Sequence, residues 1–179
     1  MFTNPHLTAF WNRMRKFIGN PLDASVHCEN QGHRAGPRAA TPPPAQAVSA
    51  QQLLAAGVPL LNVKRLDDYA SLGVLDEFMQ DYVEAIARLV EQLGASMVRE
   101  DRKTGVAAMH SLLGISGDAG AQALYELLRH FYVPIVEHGR WPQESGWIEQ
   151  VKALTAQSAQ AMRDYAAQRA ATGKATVRG

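Results

Sequence analysis

Leu75, Phe78, Met79, Tyr82, Ile86, Leu89, Val90 and Leu93 recur at spacings of three and four through the middle of the chain. Such a run is one face of a helix several turns long, and an apolar stripe of that kind has to be buried against other helices. The same period returns in Leu124, Leu127, Leu128, Phe131 and Tyr132, and again in Trp147, Ile148, Val151, Leu154, Ala161, Met162 and Tyr165. No segment alternates apolar and polar residues as a half-buried strand would. The expected fold class is all-α: an up-and-down four-helix bundle with a short extra N-terminal helix around Asp67 and Asp68, preceded by a flexible linker.

Punctuation residues divide the chain further. Gly94 falls near the end of the first long helix, and the charged stretch Arg99 to Lys103 leads into a second, whose buried side is expected to be Val106, Met109, Leu112 and Leu113. Asp118-Ala-Gly-Ala121 reads as the turn into the third helix, which Pro134 should kink or end. A loop around Gly139 to Gly146 precedes a last helix from about Trp147 to Arg169.

Upstream, residues 1–20 carry Leu7, Phe10, Trp11, Met14, Phe17 and Ile18 at helical spacing, flanked by Arg13, Arg15 and Lys16. A helix so patterned could lie on a membrane or bind a partner; the plainer reading is that it docks on its own domain or belongs to a longer parent. Residues 21–60 are rich in Pro, Ala and polar residues and are expected to be a linker. Residues 61–172 would be the bundle, and 173–179 a tail.

Composition narrows the function classes. A formal net charge of +1 and a pI near 7.9, with no block of like charge, give no general pull toward nucleic acid. The single Cys28 allows neither an intrachain disulfide framework nor a thiolate zinc cluster, and points to the cytoplasm. No apolar run approaches the roughly 20 residues that span a bilayer, so a membrane tether would come through a larger parent protein.

The chemistry concentrates at His110. In His110-Ser-Leu-Leu-Gly-Ile-Ser-Gly-Asp-Ala-Gly-Ala121, the residues His110, Gly114 and Gly117 fall at i, i+4 and i+7, nearly on one helical face. Each mid-helix glycine costs roughly 0.5 to 1 kcal/mol against alanine, so two beside a histidine suggest that another surface approaches closely. Imidazole is a nucleophile near neutral pH and needs access more than activation. His130, Glu137 and His138 make a poor metal set, because the histidines stand roughly 11 Å or more apart along a helix axis. Trp141, Pro142 and Trp147 read as anchors of loop packing.

The run resembles the phosphohistidine helix of histidine-containing phosphotransfer domains, whose pattern is roughly His-x-x-Lys-Gly-x-Ser-x-x-x-Gly-Ala. His110, Gly114, Ser116, Gly120 and Ala121 match, and the resemblance extends over about residues 62–170. Leu113 departs from it, standing where the family usually carries a lysine near the phosphoryl group. The resemblance implies that His110 is the phosphoryl acceptor, through Nε2, and that response-regulator receiver domains are its partners, downstream of a sensor histidine kinase. Magnesium is then expected in the receiver only, with no cofactor in this chain. Gly114 and Gly117 would admit the receiver's backbone, and Ser111 or Ser116 would hydrogen-bond phosphoryl oxygens. Lys103, two turns before His110, or Arg129 on the next helix would replace the missing cation.

With no nucleotide-binding glycine motif and no strand pattern, the chain is expected to be a phosphocarrier without kinase activity of its own. The alternative is a helical docking module that binds a receiver or other signalling protein without taking phosphate, for which Leu113 is the main support. A helical enzyme or metal protein is weaker still, since facing helices carry no paired carboxylates or Glu-x-x-His pattern.

Overall fold

A computed structural model describes residues 48–143 and 145–176 of the chain, and all regular structure among them is helical. The amphipathic segment expected at residues 1–20 and most of the linker expected at 21–60 lie outside the described residues. Six helices follow in order: α1 (Ala50–Ala55), α2 (Val63–Ser71), α3 (Leu75–Val98), α4 (Arg102–Ala119), α5 (Gln122–His138) and α6 (Trp147–Thr176). None of the described helices is long and apolar enough to cross a membrane.

Local chemistry sets most of the helix ends. Ser49 and Gln52 form a capping box at the start of α1, each side chain bonding the other's backbone N–H. The Asn62 side chain accepts from Arg65 N at 3.2 Å to start α2, and the Asp101 carboxylate accepts from Thr104 N at 3.1 Å to start α4. Hydrogen bonding from the Thr104 side chain, and then from its backbone N–H, holds the Asp101 carboxyl below its ordinary value. Gly120, at φ 74, ends α4 in the left-handed region, so only Gly120 and Ala121 separate α4 from α5.

Packing follows the stripes. Helix α3 packs on α4 and α6, α5 packs on α4 and α6, α2 lies against α3, and α1 touches α5 and α6. Phe78, Ile86 and Leu93 of α3, Met109 and Leu112 of α4, Leu124, Leu127 and Leu128 of α5, and Val151, Leu154 and Met162 of α6 are buried. Each such side chain is worth about 1.5 to 3 kcal/mol of transfer free energy, which the short helices alone could not supply. Tyr69 of α2 stacks on Phe78 with ring centroids 4.4 Å apart, joining the short helix to this core.

Several boundaries differ from those expected. The 21–60 range contains α1, because the Ser49–Gln52 box nucleates a turn that an Ala-rich segment can extend. Helix α3 runs past Gly94 to Val98, α4 takes in Asp118 and Ala119, and α6 continues beyond Arg169 to Thr176. Helix α5 passes through Pro134 to His138, its last carbonyls satisfied by Gly139 N and Arg140 N. A proline this close to a C-terminus forfeits one ladder bond, and neighbours already buried on either side, Phe131 and Ile135, keep the axis in place.

Candidate functional site

Helix α4 is divided lengthwise. Gly105, Ala108, Met109, Leu112, Ser116 and Ala119 form its buried side, at spacings of three and four. Lys103, Ala107, His110, Ser111 and Gly114 are exposed on the other. The His110 ring therefore stands in solvent on a helix that the opposite face anchors.

One ring nitrogen is engaged. His110 Nδ1 lies 3.0 Å from the hydroxyl of Tyr132 on α5, with the two ring centroids 5.7 Å apart. Tyr132 is half-buried and follows Phe131, which is buried in the core, so the phenol comes from a fixed backbone. Among the described residues, none hydrogen-bonds Nε2.

The two glycines beside His110 differ. Among the described residues a Cβ added at Gly114 would meet nothing within 4 Å, so they leave the surface next to the imidazole open there. A Cβ at Gly117 would lie 3.1 Å from Cδ2 of Tyr125, and this glycine lets α5 approach α4. Gly105, which sequence reasoning passed over, is the tightest of the three: a Cβ there would stand 2.6 Å from Cε of Met97 and 3.0 Å from both Ser96 Oγ and Trp141 Cη2.

The serines separate as well. Ser111 donates its hydroxyl to Ala107 O at 3.0 Å and stays exposed on the His110 side. Ser116 is fully buried on the core side, against the Tyr82 phenol, and its expected part at the imidazole is corrected: six residues along a helix turn it to the opposite face. Burial pushes the Tyr82 phenol up, opposed weakly by Ser116. Among the described residues neither hydroxyl reaches a partner with hydrogen-bonding geometry.

Around the histidine, Leu113 is half-buried and Lys103 is exposed in the first turn of α4. On α5, Arg129 and Val136 flank Tyr132 by about one turn on its own face; Arg129 pairs with Glu126 at 3.7 Å, and Val136 is 56% exposed. The surface that carries His110 is thus mainly small and apolar, with cations at its edges. His130 sets its ring against that of Phe131, and His138 lies 3.7 Å from the Glu137 carboxylate. Among the described residues no group of three His, Cys, Asp or Glu side chains could hold a metal ion. An open groove lined by Leu53, Pro59, Leu61, Val63, Gln122 and Glu126 lies by the first turns of α5.

Sequence reasoning assigned Tyr132 to the inward stripe and missed its contact with His110. The signal was present in the numbering. Ala121 is the midpoint between His110 and Tyr132 and also between Gly117 and Tyr125, and residues equidistant from a tight helical turn come level across it. Comparison with family models, with curated proteins and with solved structures finds no match to this chain.

Proposed function

We propose that this chain is a histidine phosphotransfer module, in which His110 accepts a phosphoryl group from the phosphoaspartate of one receiver domain and passes it to another in a two-component phosphorelay. On this reading α3 to α6 form an up-and-down four-helix bundle with α2 as the short extra helix. The observation that carries it is the exposed His110 imidazole, its Nδ1 engaged and its Nε2 open, beside the unobstructed Gly114.

The Nε2 lone pair attacks phosphorus, the phosphorus–oxygen bond of the acyl phosphate breaks, and the aspartate carboxylate leaves. Reversal of the same step on a second receiver returns the group. Magnesium and the acidic pocket belong to the receiver, and this chain supplies a positioned acceptor and a surface smooth enough for docking. Ala107, Gly114 and Val136 provide that surface, while Lys103 and Arg129 are the cations nearest to standing in for the lysine that Leu113 replaces. Lacking a direct cation costs the phospho form up to roughly 1.5 to 3 kcal/mol, which weakens it without abolishing it. The module phosphorylates nothing by itself, works in the cytoplasm, and depends on an upstream sensor kinase.

Labelled phosphate presented on a panel of receiver domains tests the proposal. Label should move to the wild-type chain and not to His110→Gln. Leu113 favours a second reading, a docking module that takes no phosphate; receiver binding without label in the wild type would establish it, and neither binding nor label would sink both.

A further inference from the structure

We infer that Tyr132 is the positioning residue for His110: its hydroxyl engages Nδ1, so that Nε2 is the ring nitrogen that reacts. The inference rests on the phosphotransfer reading for its consequence, and on geometry for its substance. A neutral imidazole carries one proton, and the nitrogen without it is the nucleophile. For Nε2 to attack phosphorus, the proton has to sit on Nδ1, where the Tyr132 oxygen at 3.0 Å is placed to accept it. A phosphoryl group could attach at Nδ1 only by expelling the phenol from that position.

Tyr132 has the properties this role requires. Its hydroxyl both donates and accepts, so one rotation lets it accept from Nδ1–H before transfer and donate to the bare Nδ1 of a neutral phosphoimidazole afterwards. Its backbone is held by the buried Phe131 and Ile135, and His110 stands between the buried Met109 and Leu112. The pair is thus set by two anchored helices rather than by a loop. No carboxylate hydrogen-bonds the ring among the described residues, so the phenol is the group that fixes its orientation. In the transfer step the bond from donor to phosphorus breaks as the bond from Nε2 to phosphorus forms, and the Nδ1 proton stays on the ring; its subsequent loss to solvent leaves the bare Nδ1 to which Tyr132 then donates.

The test needs no receiver. Phosphoramidate transfers a phosphoryl group to histidine directly, with ammonia as the leaving group. With the full chain labelled at its histidine nitrogens and held near pH 8, nitrogen NMR reads the proton position in His110, and phosphorus NMR reads which nitrogen bears phosphate. The wild type should hold its proton on Nδ1 and form the Nε2 isomer alone. Tyr132→Phe should shift the proton toward Nε2, slow labelling by roughly two- to tenfold, as one hydrogen bond is worth, and admit the Nδ1 isomer.

A wild-type ring protonated at Nε2, or a variant with unchanged proton position and unchanged isomer, overturns the inference. Thermal unfolding of the variant, expected to match the wild type closely, shows that a changed isomer is not a folding defect. Should the proton and isomer shifts occur while receivers give no label, the phosphorelay reading fails and the positioning role stands.

Discussion

Gly105 and Gly114 sit on the same helix and answer to opposite constraints. At Gly114 a methyl group enters open solvent, so Gly114→Ala should stabilise the chain by about 0.5 to 1 kcal/mol through helix propensity alone. At Gly105 a methyl group meets the tip of Met97, which can move, but also Ser96 and Trp141, which are held by burial and by the loop. Overpacking of that kind costs about 1 to 3 kcal/mol, so Gly105→Ala should destabilise despite the same propensity gain. Urea unfolding of the two variants reads both signs. Labelling adds a second axis: under the proposed function the stabilised Gly114→Ala takes phosphate from a receiver more slowly, because the methyl group stands where the receiver's backbone approaches. A chain of letters presents these glycines alike. His110 and its open neighbour were legible because a helix period assigns faces, whereas the partner of Gly105 lies across a loop and the partner of His110 across a hairpin, where the period is silent and only equal distance from the turn at Ala121 marks the pair.

Three of the four long helices share a feature that their apolar stripes conceal. Tyr82 of α3, Ser116 of α4, and Thr155 and Ser158 of α6 are buried with side-chain oxygens that find no hydrogen-bond partner among the described residues. A buried hydroxyl left so costs about 1 to 3 kcal/mol. Tyr82→Phe removes one with no loss of ring packing, and should raise stability by about 1 kcal/mol, measured as a higher urea midpoint at pH 8. The pH dependence has a definite sign. Burial raises the Tyr82 phenol above its ordinary value, so the folded state favours the protonated form. That contribution is complete below the unfolded phenol range near 10 and is lost as pH rises toward the folded value. Between pH 8 and pH 10.5 the wild type should therefore lose more stability than Tyr82→Phe, and equal losses would count against burial as the cause. At this scale the period identified each stripe, yet helix ends escaped it. Gly94 and Pro134 lie inside helices because packing of their neighbours outweighs a local penalty of roughly 1 to 3 kcal/mol, and that comparison requires knowing what the neighbours touch.

Across the whole molecule the attachments are graded. Helix α2 is fastened at both ends of its reach: Arg65 Nε and the Tyr69 hydroxyl donate to Asp118 O at 2.8 and 2.6 Å, Asn62 N donates to Gly120 O at 2.7 Å, and Asp67 accepts from Tyr165 and Arg169 of α6 at 2.5 Å each. Helix α1 has no buried residue, and its backbone is tied to α6 by Ala50 N donating to Gln150 Oε1 at 3.2 Å. Helices α4 and α5 hold the fully buried Met109, Leu112, Leu124, Leu127 and Leu128. Opening free energies track buried apolar contact, so amide exchange should sort the elements in that order. Amides of Gln52 to Ala56 should exchange through local opening at a small fraction of the global free energy. Those of α2 should come next, and those around Met109 and Leu127 should exchange only with global unfolding. Native-state exchange across a urea series gives the check: protection in α1 equal to that in α4 would mean that the short helix unfolds with the core and that the grading is wrong. The grading also bears on the site. His110 and Tyr132 ride on elements expected to open only with global unfolding, so under the proposed function the imidazole is presented to a receiver without an ordering cost, and discrimination among receivers falls to the exposed residues around it.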